Sequence, residues 1–118
     1  MSTKRKALGV LGENLAAGML TRRGYAILER NVRTSTGEID IVAREGETLC
    51  FVEVRSRSHP GQVHPAATVD RRKQRQIIKA AMAYCQHHRI KDTMLRFDVV
   101  AVTGQEIELI RNAFEAWR

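Results

Sequence analysis

GEIDIVAREGETLCFVEVRSR, residues 37–57, reads as two β-strands folded about a tight reversal. Apolar residues recur at alternate positions through EIDIVA (38–43) and TLCFVEVR (48–55), and REGE (44–47) between them contains Gly46, as a hairpin turn requires. With Glu45 and Gly46 as the two loop residues, Val42 faces Leu49, Asp40 faces Phe51 and Glu38 faces Glu53. One face then carries Glu38, Asp40, Val42, Leu49, Phe51, Glu53 and Arg55. The other carries Ile39, Ile41, Ala43, Thr48, Cys50, Val52 and Val54. A slip of one residue would drive Glu53 in among the isoleucines, and the hydrophobic pattern forbids it.

Three carboxylates, those of Glu38, Asp40 and Glu53, therefore gather at one end of one sheet face. Like charges set opposite each other destabilise a sheet, so something of positive charge must offset them. Arg55 and Arg57 are next along the strand and supply one answer; the bland reading is then a solvated face with Glu–Arg cross-strand pairs. A bound cation is the other answer. Hard oxygen ligands suit Mg²⁺ or Mn²⁺, with water and phosphate oxygens completing the shell. Such an ion lowers the pKa of a bound water and neutralises charge on a phosphoryl oxygen.

Outward from the hairpin, residues 5–22 have helical periodicity. Leu8, Leu11, Leu15 and Met19 form one apolar stripe, Glu13 lies on its flank, and Gly24 supplies the stop. YAILERNVR (25–33) is a first strand and STG (35–37) a turn. The stretch from Ser56 to Pro65 holds both prolines together with His59 and His64, and reads as a loop. A helix comes next, over 69–88, with Ile77, Ala81, Tyr84 and Cys85 on its buried side. Arg71, Arg72, Lys73, Arg75 and Lys79 crowd its first half. LRFDVVAV (95–102) has the continuous apolar character of a central strand. TGQ turns it into EIELI (106–110), and the last residues are expected to form a short helix. The order is α-β-β-β-α-β-β. Strands three and four are joined through a helix and should be parallel. The fold class is α/β, one mixed central sheet flanked by helices in a single domain spanning 1–118.

Composition sets the outer limits. The chain has 118 residues, enough for one core without a disulfide or a structural metal. Its two cysteines, Cys50 and Cys85, match no metal-ligand spacing and read as buried thiols in a reducing cytoplasm. Glu13 and Asn14 interrupt the apolar residues near the start, and no run reaches membrane-spanning length, so no membrane association is expected. Twenty Lys and Arg against thirteen Asp and Glu leave a net charge of +7, which attracts polyanions. The basic half-helix 71–79 is where a phosphate backbone would be met, with affinity falling steeply in salt.

GEIDIVA, FVEVRSR and RFDVVAV together resemble the YraN family of small bacterial proteins. GE at 12–13, GY at 24–25, RN at 30–31, a lysine in the second helix and NAF at 112–114 extend the likeness over almost the whole chain. That family is similar to archaeal Holliday junction resolvases within the PD-(D/E)xK nuclease superfamily. The resemblance implies a restriction-endonuclease-like fold, with the metal held by Asp40 and Glu53 and assisted by Glu13; Glu38 is a further candidate acid. One departure stands out: the superfamily motif ends in lysine, whereas this chain has Arg55. Arginine stays protonated and cannot act as a general base, although it can steady a phosphate. Lys73 is the candidate to supply an amine instead.

Two functions of different class remain. The first is a Mg²⁺- or Mn²⁺-dependent endonuclease, with Asp40, Glu53, Arg55 and Lys73 catalytic and Arg55, Arg57, Arg71, Arg72, Lys73 and Arg75 contacting nucleic acid. The second is a nucleic-acid-binding module that keeps the fold with weak or absent catalysis. DNA is favoured over RNA, and branched DNA suits a homodimer, because two sites would cut a junction symmetrically. A protein-interaction adaptor uses neither the charge nor the carboxylates. Asp98 is expected to pair with Arg96 rather than to join the site, Tyr25 and Trp117 to pack, and His87 and His88 to lie on the surface.

Overall fold

The alternating stretches become the centre of a five-stranded sheet in a computed structural model that describes residues 3–57 and 68–116. The elements are α1 (Thr3–Arg22), β1 (Ala26–Thr34), β2 (Gly37–Glu45), β3 (Thr48–Arg57), α2 (Arg71–His87), β4 (Leu95–Thr103) and β5 (Glu106–Phe114). The strands lie in chain order, β1-β2-β3-β4-β5. All neighbours are antiparallel except β3 and β4, which the α2 crossover makes parallel. This is the expected α/β order with a mixed sheet. Among the described residues no helix is long and apolar enough to cross a membrane.

The two helices cover opposite faces, and each face is one half of the core. Val42, Leu49, Phe51, Phe97 and Val99 pack against Ile77, Ala80, Ala81, Tyr84 and Cys85 of α2. Ile41, Cys50, Val52, Val100 and Val102 pack against Ala16, Met19 and Leu20 of α1. Both cysteines are buried and free.

Four details depart from the sequence reading. The β2–β3 register pairs Val42 with Phe51 and Ala43 with Cys50, so the loop is Gly46–Glu47 and the partners shift by two. Gly46 adopts φ 60, and a primed two-residue turn needs a positive φ at its first position; the glycine therefore leads the loop. A shift of two preserves the faces, with one exception: Ile39 joins the α2 cluster although Ile41 joins the α1 cluster. In α1 the leucine stripe is buried only in part: Met19 is buried and Leu15 packs against the core. Leu11 is 54% exposed, whereas Gly12, Ala16, Met19 and Leu20 face the sheet. A Cβ at position 12 would overlap the Ser56 hydroxyl, so the helix approaches β3 through its small residues. Finally, the chain after Leu109 continues as strand to Phe114 instead of turning helical. Residues 111–113 loop out of the β4–β5 ladder, and the Asn112 amide is held by Asp98.

The helix ends direct the chain into the neighbouring segments. Tyr25 N–H donates to Leu20 C=O (3.0 Å) and Gly24 N–H to Thr21 C=O (3.1 Å), with Gly24 at φ 95, a Schellman stop that turns Tyr25 under the sheet. Asp70 caps α2 by accepting from Lys73 N–H at 2.8 Å, which sets the helix start at Arg71. α2 ends in the same Schellman pattern: Ile90 N–H reaches Cys85 C=O at 2.8 Å and Arg89 sits at φ 55. Both edge strands are irregular, β1 carrying one extra residue between Ile27 and Glu29 and β5 its looped-out segment.

Candidate functional site

The β2–β3 ladder stops at the pair Ile41–Val52. One step further the same register brings Asp40 opposite Glu53, and here the strands part. The Val54 N–H, with no strand partner to meet, donates instead to Asp40 Oδ2 at 2.8 Å. Asp40 thus closes the ladder with its side chain, within hydrogen-bonding reach of the Glu53 carboxyl.

Glu53 is 7% exposed and lies on the α2 face. Burial, then the Asp40 charge, then the hydrogen bond with Asp40 push its carboxyl up to about 8, against the pull of Lys73 and Arg55. Those two cations stand close without making a tight bond: Arg55 Nε is 3.5 Å and Lys73 Nζ 3.7 Å from Glu53 Oε2. The Arg55 Nε is buried and has no hydrogen-bond partner among the described residues. The other end of that guanidinium donates to the Thr68 carbonyl, just before α2, at 3.3 Å. The structure therefore brings Asp40, Glu53, Arg55 and Lys73 together. Arg71, Arg72 and Arg75 lie exposed on the first half of the same helix. Arg57 stands further along β3, its Nε on the Thr103 hydroxyl at 3.2 Å.

Glu13 and Glu38 are engaged elsewhere. Glu13 Oε1 accepts from Arg30 Nε at 2.9 Å and from Asn31 Nδ2 at 3.0 Å, which ties α1 to β1. Glu38 is exposed, and its carboxylate faces Arg33 at 3.5 Å. Asn31 was not among the sequence candidates, yet the β1–β2 register sets it opposite Asp40, between the pairs Arg30–Ile41 and Val32–Ile39. The available signal was the STG turn, which fixes that register. His59 and His64 lie outside the described residues.

Asp40 and Glu53 are the residues of this site that could hold a divalent ion. Among the described residues no three or more His, Cys, Asp or Glu side chains converge, so the site offers two carboxylates. Mg²⁺ is commonly held by one or two carboxylates, with waters and substrate phosphates filling the remaining positions. Glu53, whose carboxyl burial and the Asp40 charge push up, is a place where added positive charge is stabilised.

A second buried acid lies close by on the opposite face. Asp98, level with Val52 on β4, is 0% exposed. It accepts from the Tyr25 hydroxyl (2.9 Å), from two nitrogens of Arg96 (2.8 and 2.9 Å) and from the Asn112 N–H (2.9 Å). Arg96 continues to Glu45 at 2.8 Å, and Glu45 to Arg111 at 2.8 Å. The pairing of Asp98 with Arg96 and the packing role of Tyr25 are as the sequence predicts; Trp117 lies outside the described residues. The neighbouring Cys50 thiol is pushed up to about 11, by burial first and then by the Asp98 charge, so it stays unionised.

Architecture and site define a class: an α/β protein whose mixed sheet sets a buried glutamate beside a half-buried aspartate where two strands part, under the cationic start of a helix. Residues 12–102 match the sequence model of the family described as "Uncharacterised protein family UPF0102", and the chain belongs to that family, the YraN family. It is 49% identical to a UPF0102 protein of Geobacter sulfurreducens, over 97% of this chain and 93% of the relative. A UPF0102 protein of Geobacter metallireducens is 50% identical over 98% of each chain. One from Syntrophus aciditrophicus is 46% identical over 96% of this chain and 92% of its own.

Proposed function

We propose that this protein binds nucleic acid and hydrolyses its phosphodiester bonds with Mg²⁺ or Mn²⁺ as cofactor. One observation carries the reading: buried Glu53, paired with half-buried Asp40, has among the described residues Arg55 and Lys73 as its nearest cations, and neither bonds it tightly. Asp40 and Glu53 would hold the ion, which when bound supplies an activated water and neutralises charge on the phosphoryl group. The Asp40 carboxylate is oriented for this by the Val54 N–H. Arg55, its Nε unsatisfied, is placed to steady a phosphate, and Lys73 to hold a proton or a second phosphate oxygen. Arg71, Arg72 and Arg75 extend the cationic surface along the nucleic acid, and Arg57 extends it along β3. Glu13, held by Arg30 and Asn31, and exposed Glu38 are the further acids of the reading.

A second reading, a binding module without efficient catalysis, is favoured by Arg55, because arginine cannot take a proton from water. Wild type and Asp40→Asn, incubated with Mn²⁺ and a panel of four-way junction, flap, duplex, single-stranded DNA and RNA, separate the two. Cutting by wild type alone supports the nuclease and names its substrate, with DNA expected ahead of RNA. Equal, salt-sensitive binding by both proteins with no cutting supports the binding module. Sedimentation of wild type on a four-way junction tests the homodimer that symmetrical cutting would need.

A further inference from the structure

A cavity of about 430 Å³ opens between β1 and the last turns of α2, within the size range of small-ligand sites. Its lining includes Glu29, Arg33 and Ser35 from the β1 side and Tyr84, His87 and His88 from α2. Lys73 and His87 are fourteen residues apart on α2, so the cavity lies about 21 Å along the helix from the acid pair, at the usual rise per residue.

Its aromatic wall is the open end of a chain of rings that begins in the core. Phe114 meets Phe97 at 5.1 Å between centroids, Phe97 meets Phe51 at 5.7 Å and Phe51 meets Tyr84 at 5.9 Å. His88 then lies over Tyr84 at 4.2 Å, and His87 meets His88 edge-on at 5.1 Å. The phenylalanines and Tyr84 are buried, whereas both histidines are exposed. The Schellman turn closed by Ile90 and Arg89 fixes this end of α2, so the histidines stand on a rigid support.

The polar groups are arranged about one carboxylate. The Tyr84 hydroxyl donates to Glu29 Oε1 at 3.1 Å, and His88 Nε2 is 3.5 Å from the same oxygen. Burial and the Glu29 contact push the Tyr84 hydroxyl up to about 12, so it remains a donor and holds Glu29 in place. Glu29 Oε2 has no hydrogen bond among the described residues. Arg33 is 86% exposed and meets Glu38 only at 3.5 Å, so its guanidinium can turn toward an anion.

We propose that this cavity is a guanine-nucleotide site. An aromatic ring of the base would stack on His88, with His87 meeting it edge-on. The adjacent N1–H and N2–H donors of guanine match the two oxygens of a carboxylate, whereas adenine and cytosine set an acceptor beside their donor and uracil flanks its own with two. Arg33 and the Ser35 hydroxyl would meet the phosphate. The inference rests on the proposed nucleic-acid reading only in its source: the guanine belongs either to a strand that runs past α2 or to a free nucleotide.

The full chain is titrated with GMP, AMP, CMP, UMP and inorganic phosphate without divalent metal, with amide and histidine signals read by NMR. GMP should shift signals of Glu29, Ser35, His87 and His88 saturably and more tightly than the other three nucleotides. His88→Ala should weaken it by roughly tenfold, the scale of one lost stacking partner. Glu29→Gln should erase the preference for guanine, and Arg33→Ala should weaken GMP while leaving guanosine unchanged. Both Glu29 and His88 are over 40% exposed, so these variants are expected to fold, and their circular dichroism checks it. No saturable shift at the cavity, equal shifts from all four nucleotides, or the same shifts from phosphate alone each overturn the proposal. Short single strands with and without guanine then identify the source: guanine-dependent binding lost in Glu29→Gln assigns it to a strand, and binding of the mononucleotide alone to the free ligand. Asp40→Asn should leave every one of these shifts unchanged, so failure of the nuclease reading and failure of this one are read separately.

Discussion

Asp98 and Glu53 are buried acids on adjacent strands, one beneath each face of the same sheet, and their surroundings are opposite. Asp98 accepts four hydrogen bonds, two of them from a guanidinium that is itself tied to Glu45. Glu53 meets another acid, and its nearest cations stand at 3.5 and 3.7 Å. A buried charge that is fully paired holds the fold together; one that is left short of partners costs stability and is retained for what it can bind. The difference between structure and site is thus one of satisfaction, not of burial.

The largest effect should come from the satisfied acid. Asp98→Ala leaves Arg96, Tyr25 and the Asn112 amide without their acceptor, and urea unfolding should show a loss of about 3–5 kcal/mol. A loss below about 1 kcal/mol would mean that the network is ornamental and the comparison fails. Glu53→Gln should act in the other direction, stabilising by about 1–3 kcal/mol at high pH. The sign comes from linkage. Because Glu53 is raised to about 8, the native state holds a proton there that the unfolded chain has already lost above its ordinary carboxylate pKa. Wild-type stability from this group therefore falls as pH rises between about 4.5 and 8, whereas the glutamine variant has no such slope. The gain should vanish near pH 5 and be greatest above about pH 8.

Divalent metal sharpens the same contrast. At ten times its dissociation constant, Mn²⁺ should stabilise wild type by about 1.4 kcal/mol and Glu53→Gln far less, read as a shift in Tm. An equal shift in both proteins would place the ion elsewhere. The smallest effect belongs to the outer end of the Asp98 network. Arg111 pairs with Glu45 at the surface, and Arg111→Ala should cost under about 1 kcal/mol.

Much of this was legible in the chain. Alternation through residues 38–55 assigned nearly every side chain of the hairpin to its face, and the helix between β3 and β4 implied their parallel pairing. Three things were not legible. The turn offered Glu45–Gly46 and Gly46–Glu47 as equally good pairs by composition, and only the backbone conformation of Gly46 decides between them. That choice moves Glu53 from opposite Glu38 to opposite Asp40. In α1, periodicity found Leu15 and Met19, but close approach to Ser56 brought Gly12 and Ala16 to the sheet and left Leu11 exposed. The partners of Glu13, Arg30 and Asn31, come from β1, and no spacing within α1 announces them.

The irregular edges have a consequence for the protein at high concentration. Five strands rich in Val and Ile invite a sixth from another molecule, the first step toward fibrils. β1 interrupts its ladder with an extra residue and sets Asn31 at φ 53; β5 loops out residues 111–113 and sets Asn112 at φ 52. Neither border presents the straight, evenly spaced row of amides and carbonyls that strand addition needs. The sheet is thus capped at both sides by its own backbone, which disfavours strand addition at either border.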